Sequence, residues 1–414
     1  MREKKYILVT GTGFVNKGSQ AMLFNAVDEL KKRFPKQEVI DLSTLDYNQD
    51  DVEKYNFKIM PDNLSLFIPK RYSVLRDFGK ILFRYRGKEI SRVEQDKWID
   101  TMKYIYDNTY FIVNAGGFAL GAPIGRGKAA TSMAFLMRIM AADNLDIPIY
   151  LLPQSFGPFN YKFGHKQVVK YFMKRYLHKA RLIFAREEEG YECLKPYKKE
   201  GLVLCKDIVI TNEKIEERNI FVEPEDSIRK IEIGGQNPIA VIPNMRCFEK
   251  MEREEFVKLY KQIIEYLRPN HAVYLLRHSK EDIEACELIY ENLDNTDNVY
   301  RLVDDLNCFE LEYVLKQFKF CVASRFHSIV HSYKNGTPCV VIAWAVKYYD
   351  LLQSFNQEKY LFDVRKSLNI NEIIKKIAEM ENNYLDEKIV IAEALRKQQI
   401  VNAFDMIEKD IKNA

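Results

Sequence analysis

Phe318-Lys-Phe-Cys-Val-Ala-Ser-Arg-Phe-His-Ser-Ile-Val-His-Ser-Tyr-Lys-Asn-Gly-Thr-Pro-Cys-Val-Val-Ile-Ala-Trp344 decides the fold. Lys319–Ala323 reads as a strand, Ser324-Arg325 as a polar turn, the next residues as a helix, Gly336-Thr-Pro338 as its stop and Cys339 onward as a second strand. A strand, a helix and a strand in so short a span make a parallel crossover. Arg325 and His327 fall where the strand ends and the helix begins. A helix start offers unpaired N–H groups and the positive end of its dipole. Arg325 adds a permanent charge on a planar fork that grips carboxylate or phosphate through two bonds. His327 can donate, accept or carry a proton near neutral pH. The ligand expected here is small and negatively charged.

Outward from this segment the same alternation repeats. Toward the N-terminus, strands are expected at Tyr6–Thr10, Glu38–Leu42, Tyr110–Val113, Pro148–Leu152, Leu182–Ala185 and Leu202–Leu204, with helices at Ser19–Arg33 and Lys128–Asp143. Closer in, strands are expected at Ile239–Ile242, Ala272–Leu276 and Val299–Val303, with helices at Arg253–Leu267, Lys280–Glu291 and Cys308–Lys316. Residues 211–236 break the pattern with Thr211-Asn-Glu-Lys-Ile-Glu-Glu-Arg-Asn, Glu223-Pro-Glu-Asp and Gly234-Gly-Gln-Asn-Pro. The expected organisation is α/β: two Rossmann-like domains facing a cleft, with mainly parallel sheets. Residues 1–212 form an acceptor-side domain, 213–236 a linker, 237–390 a donor-side domain, and 391–414 a helix that crosses back. In such sheets ligands sit beyond the carboxyl ends of the strands, which is where the polar loops of this chain fall.

Bulk properties narrow the class. A chain of 414 residues exceeds one ordinary core, and 47% hydrophobic with 29% charged residues is a globular composition. The net charge of +4 favours no partner by itself. No apolar run is long enough to span a membrane, and Met1 leads straight into a strand without a signal segment, so a cytoplasmic protein is expected. The seven cysteines are scattered, with no Cys-x-x-Cys pair, and Cys205, Cys321 and Cys339 lie in apolar runs that suit buried thiols.

Several motifs read two ways. Gly11-Thr-Gly-Phe-Val-Asn-Lys-Gly18 begins like a dinucleotide loop, but Asn16 stands where the third glycine is needed. It is a tight turn whose Asn16 and Gly18 can approach a substrate. Asn114-Ala-Gly-Gly-Phe-Ala-Leu-Gly-Ala-Pro-Ile-Gly-Arg-Gly127 is no P-loop, since Lys128 is followed by alanine; Gly116 and Gly117 let backbone N–H groups near a ligand. Arg186, before Glu187-Glu-Glu189, is either paired with those carboxylates or a second anion clamp. His327 and His331 share a helix face, but no H-E-x-x-H glutamate accompanies them; no metal is expected and His331 reads as packed. The basic amphipathic stretches Tyr72–Arg92 and Lys170–Lys179 suit either solvated helix faces or peripheral contact with the inner face of a membrane. No nucleic-acid motif accompanies the charge.

The order of these motifs resembles the polysaccharide pyruvyl transferases. The matching residues are Asn16-Lys-Gly18, Gly116-Gly117, Gln154-Ser-Phe-Gly-Pro158, Arg186, Arg325-Phe326-His327, Gly336-Thr-Pro338 and Lys347. Ala115, Ser19-Gln20, Pro153 and Phe326 depart from the usual pattern. The resemblance implies a fold like the two-domain GT-B glycosyltransferases. It also implies phosphoenolpyruvate as donor and co-substrate without a further cofactor, and a sugar diol of a glycan or lipid-linked oligosaccharide as acceptor. The product would be a cyclic pyruvate ketal, with phosphate released. Arg325, His327 and Arg186 would contact the donor, with Lys347 close by; Asn16, Gly18, Gly116, Gly117, Gln154 and Phe326 would line the substrates. The proton source for carbon is unassigned; Asp207 and the carboxylates of Glu187–Glu189 are the candidates. Two other readings stay open: a GT-B glycosyltransferase using a nucleotide sugar, and a non-catalytic glycan-binding relative.

Overall fold

In the computed structural model, residues 4–43, 49–75, 92–122, 129–345, 347–366 and 368–413 are described. They form two compact units. The first comprises Met1–Phe14, Ser19–Pro224 and Val401–Ala414, the second Val15–Gly18 and Glu225–Ile400. The division after Pro224 falls inside the charged junction. The boundary expected at 390 does not hold, because the Ile370–Gln398 helix runs through it unbroken from its Asn369 cap.

The first unit is built on β1 (Tyr6–Thr10), β2 (Glu38–Ser43), β3 (Lys58–Pro61), β4 (Thr109–Asn114), β5 (Leu120–Ala122), β6 (Ile149–Gln154), β7 (Phe156–Phe159), β8 (Ile183–Ala185) and β9 (Leu202–Leu204). Seven of these form one sheet in the order β3-β2-β1-β4-β6-β8-β9, every pair parallel. The second unit holds β10 (Ile239–Ile242), β11 (Val273–Leu276), β12 (Val299–Leu302), β13 (Cys321–Ala323), β14 (Cys339–Ala343) and β15 (Leu361–Asp363). Its sheet has the order β12-β11-β10-β13-β14-β15, again all parallel. Each sheet is therefore doubly wound. The chain steps outward on one side, returns to the centre, and steps outward on the other. The reversals lie between β1 and β4 and between β10 and β13, where such sheets open a crevice for ligands.

The sequence folds this way because its central strands are apolar on both faces. Ile239–Ile242 and Cys339–Ala343 are buried throughout, as strands covered by helices on both sides must be. The covering helices carry one apolar stripe each. Arg253–Leu267 buries Phe256, Leu259, Tyr260, Ile263, Ile264 and Leu267, at spacings of one, three and four. Burial of each such side chain stabilises by about 1.5–3 kcal/mol. The Phe163–Tyr176 helix buries Val169, Phe172, Met173 and Tyr176 and leaves Lys174 and Arg175 exposed. Residues 76–91 of the other basic stretch, and 123–128 of the glycine loop, lie outside the described residues. Four short strands, β3, β5, β7 and β15, were not expected from sequence. Three of them contain Pro61, Gly121 or Gly157-Pro158, residues that read as turns.

The Ala403–Lys412 helix belongs to the first unit. The Tyr150 hydroxyl donates to Asp410 at 2.7 Å, Arg181 Nε donates to the same carboxylate at 3.0 Å, and Arg33 Nη1 donates to Glu408 at 3.0 Å. All seven cysteines are free thiols, with Cys205, Cys321 and Cys339 buried. Among the described residues no helix is long and apolar enough to cross a membrane.

Candidate active site

Each reversal gathers residues singled out from the sequence. In the first unit, Thr10 at the end of β1 lies opposite Asn114 at the end of β4. Asn114 Oδ1 accepts from Gly116 N at 3.3 Å and from Gln154 Nε2 at 3.2 Å. Gly11 has φ +85°, and a Cβ there would lie 2.6 Å from Asn114 Nδ2, so only glycine closes this turn. Gly117 O accepts from Ser155 N at 3.0 Å. Gly116, Gly117 and Gln154 thus meet around Asn114, a residue the sequence reading had not weighted. Gln154 is fully buried and its Oε1 has no hydrogen-bond partner. A buried acceptor left unmade costs about 1–3 kcal/mol, and a ligand hydroxyl would satisfy it.

Arg186 follows β8 and is buried. Its Nη1 donates to Asp207 at 2.6 Å, its Nε donates to Glu187 at 2.8 Å, and its Nη2 donates to the Ser155 hydroxyl. Asp207 also accepts from Val209 N, and Glu187 from the Ser155 hydroxyl. Of the two readings of Arg186, pairing with carboxylates is the one seen; the partners are Glu187 and Asp207, while Glu188 and Glu189 face solvent.

In the second unit the reversal places Ile242, at the end of β10, opposite Ala323 at the end of β13. Asn244 Nδ2 and the Tyr348 hydroxyl both donate to Ser324 O, at 2.9 and 2.8 Å, and so fix the turn into the Phe326–Lys334 helix. Arg325 is the N-cap residue of that helix, extended at φ −91° and ψ 128°. Its fork does not face an empty site. Nε and Nη2 donate to the two oxygens of Asp282, at 2.7 and 2.6 Å, and Nη2 also reaches Glu281. Asp282 is fully buried and also accepts from Ser279 N and Met245 N. Burial pushes the Asp282 carboxyl up, against the opposing pull of Arg325. A two-bond grip on a ligand would require Arg325 to leave Asp282; Nη1 is the nitrogen outside these contacts.

His327 lies on the first turn of the same helix, against Gly18. A Cβ on Gly18 would come within 2.2 Å of the His327 ring, so the Asn16-Lys-Gly18 loop needs glycine to admit it. Gly18 N in turn donates to Asn16 Oδ1 at 3.0 Å. Lys17 joins the group through Asp305, at 2.7 Å, an oxygen it shares with Arg277 at 2.6 Å. Lys347 Nζ stands 4.7 Å from the centre of the Phe326 ring, 5.6 Å from Trp344 and 5.9 Å from Tyr348. Asn16, Gly18, Arg325, Phe326, His327 and Lys347 thus belong to one unit.

His331, one turn further along the helix, is packed, as read from sequence. Its Nδ1 meets Glu312 at 2.9 Å. Burial opposes ionisation of Glu312, but Lys334 and His331 draw its carboxyl down to about 2. Among the described residues no three His, Cys, Asp or Glu side chains gather as a metal ion would need. Two further residues escaped the sequence reading. His278 and Asp282 lie in Arg277-His-Ser-Lys-Glu-Asp282, just past the carboxyl end of β11. That position was the available signal, since the same rule had selected Arg325 and Arg186.

The fold is shared with solved sugar-processing enzymes. Alr3699/HepE of Anabaena, solved with UDP and glucose, matches at 9% identity and TM-score 0.53 over 99% of this chain and 98% of its own. The trehalose-6-phosphate synthase OtsA matches at 10% identity and TM-score 0.53 over 99% of each chain. The UDP-GlcNAc 2-epimerase of Methanocaldococcus jannaschii matches at 12% identity and TM-score 0.53 over 90% of this chain and 92% of its own. At such identities the likeness establishes a GT-B-like fold and nothing about substrate. No curated protein sequence gives a significant match. The family model of the polysaccharide pyruvyl transferases does match, over residues 16–345, from the Asn16 loop to just past the end of β14. The chain belongs to the polysaccharide pyruvyl transferase family.

Proposed function

We propose that the protein transfers the pyruvyl group of phosphoenolpyruvate to a sugar diol of a cell-surface polysaccharide or its precursor, forming a cyclic ketal and releasing phosphate. The observation that carries this reading is the cationic cluster at the β10/β13 reversal, in a chain of this family. Arg325 and His327 open the Phe326–Lys334 helix, and Lys347 stands over the ring of Phe326, which lies between them in the chain. Phosphoenolpyruvate brings a carboxylate and a phosphate, and fixed cations bind both.

The chemistry balances without a further cofactor. A proton adds to the methylene carbon and leaves an oxocarbenium-like centre at C2. One sugar hydroxyl attacks C2 and loses its proton to a base. The C2–O bond to phosphate then breaks, phosphate takes the electron pair and a proton, and the neighbouring hydroxyl closes the ring at C2 and gives up its own proton to a base. His327, held against Gly18, is our proton donor on the phosphate side. Arg325 contributes charge while anchored by Asp282. Gln154 Oε1 is the acceptor we assign to a sugar hydroxyl. For Arg186 to touch the donor it must exchange Glu187 or Asp207 for it. We place the reaction in the cytoplasm, on a glycan or lipid-linked acceptor.

Thermal unfolding tests the donor assignment. A ligand that binds only the folded state adds about 2.7 kcal/mol at a hundredfold excess over its Kd. Phosphoenolpyruvate should raise the midpoint, and glycosides bearing vicinal or 1,3-diols should release phosphate from it and gain a ketal methyl signal in proton NMR. A midpoint raised by a nucleoside diphosphate and not by phosphoenolpyruvate would instead make the protein a nucleotide-sugar glycosyltransferase.

A further inference from the structure

The cations and imidazoles named at this reversal have partners, with one marked exception. Arg325 has Asp282, Lys17 and Arg277 share Asp305, and His331 has Glu312. His278 is 1% exposed, and neither of its ring nitrogens has a hydrogen-bond partner. Each nitrogen left so forfeits about 1–3 kcal/mol unless something fills the gap. After burial, the groups acting most strongly on the ring are His331, Arg325, His327 and Lys17; Arg325 and Lys17 carry permanent charge and are each held by a carboxylate, Asp282 and Asp305. Burial, followed by these neighbours, pushes the His278 imidazolium far below its usual range, so the ring stays neutral. A neutral ring keeps one N–H to donate and one lone pair to accept. An unpaired N–H beside Arg325 and Lys17 suits an oxyanion.

The placement agrees. His278 follows β11, which pairs with β10 at the reversal, and its ring centre lies 6.1 Å from that of His331 on the Phe326–Lys334 helix. Nδ1 of His331 is committed to Glu312, and its Nε2 is buried without a partner. Across these two neighbouring imidazoles, three buried nitrogens have no hydrogen-bond partner. We propose that His278 is a ligand-binding residue whose ring N–H donates to an oxyanion held against the start of the Phe326–Lys334 helix. Naming that oxyanion as the phosphate or carboxylate of phosphoenolpyruvate rests on the function proposed above. The competing occupant is buried water, which needs two to four polar partners and would find them here.

The test uses the full chain and three probes: inorganic phosphate, phosphoenolpyruvate and UDP. In long-range proton–nitrogen spectra of the six histidines, the wild-type His278 signals should shift on adding phosphate. By calorimetry, His278→Leu should weaken binding of the anion at least tenfold. His278→Asn, which keeps a side-chain N–H, should recover part of it. Without ligand, His278→Leu should unfold no lower than wild type, because the lost nitrogens had no partners. Unmoved His278 signals, affinities of His278→Leu within twofold of wild type, or no binding of any probe to the wild type would each overturn the proposal and leave a hydrated histidine pair. Binding of phosphate or UDP but not phosphoenolpyruvate, with the His278 shift intact, would sink the pyruvyl reading and keep the site.

Discussion

The two sheet reversals share a topology and differ in chemistry. At β1/β4 the inner residues are amides, Asn114 and Gln154, and Arg186, which follows β8, is enclosed by Glu187, Asp207 and Ser155. At β10/β13 the inner residues are Arg325, His327 and His278, beside a helix whose cap residue offers no side-chain acceptor. Amides suit hydroxyls, which both donate and accept. Clustered cations suit oxyanions. The duplicated fold thus presents two reversals whose strand-end residues differ in chemistry.

The sharpest way to break this comparison is to remove the carboxylate that anchors the second crevice. Asp282→Ala leaves the buried Arg325 guanidinium with Glu281 as its remaining carboxylate and should cost about 3 kcal/mol in urea unfolding. A loss under about 1 kcal/mol would mean that Arg325 is not held by Asp282. Acid should be the next largest lever. Glu312 has a folded-state pKa of about 2, below its ordinary 4.5. Its contribution is complete above pH 4.5 and is lost as pH falls toward 2, amounting to about 3 kcal/mol. Glu312→Gln should flatten stability across that window, and an unchanged acid profile would deny the Glu312–His331–Lys334 interaction its weight.

Gly18→Ala should come third. Its methyl would overlap His327, and overpacking of this kind costs about 1–3 kcal/mol. Phosphoenolpyruvate binding should weaken with it, while a phenotype confined to stability would remove His327 from the donor site. Smallest and most selective is Gln154→Ala. Losing one hydrogen bond of about 1–1.5 kcal/mol should raise KM for the sugar acceptor roughly tenfold and leave that for phosphoenolpyruvate within twofold. Equal effects on both would erase the division of labour between amide and cation crevices.

Much of this was legible in sequence because apolar strands and amphipathic helices announce themselves by period. Ile239–Ile242, Arg253–Leu267 and Leu202–Leu204 lie where the pattern puts them. Short strands such as Leu120–Ala122 were hidden, since three residues with a glycine carry no period. For the site, spacing reveals which residues end a strand but not what their side chains meet. Arg325 was found at its strand end, whereas the Asp282 that claims its fork lies 43 positions earlier on another element. Gly18 against His327 is a still longer reach across the sequence, and no local signal marks it.

The helix at Ala403–Lys412 also bears on the order in which the protein can be made. Tyr150, Arg181 and Arg33 find Asp410 and Glu408 only after the whole second unit has been synthesised. Domains ordinarily fold as they leave the ribosome, N-terminal first. Here the N-terminal sheet must wait for its closing piece, while residues 225–400 emerge as one continuous run. The nascent first unit is therefore the stretch with the longest exposure to chaperones and proteases, and a chain cut after Ile400 would leave it in that state for good.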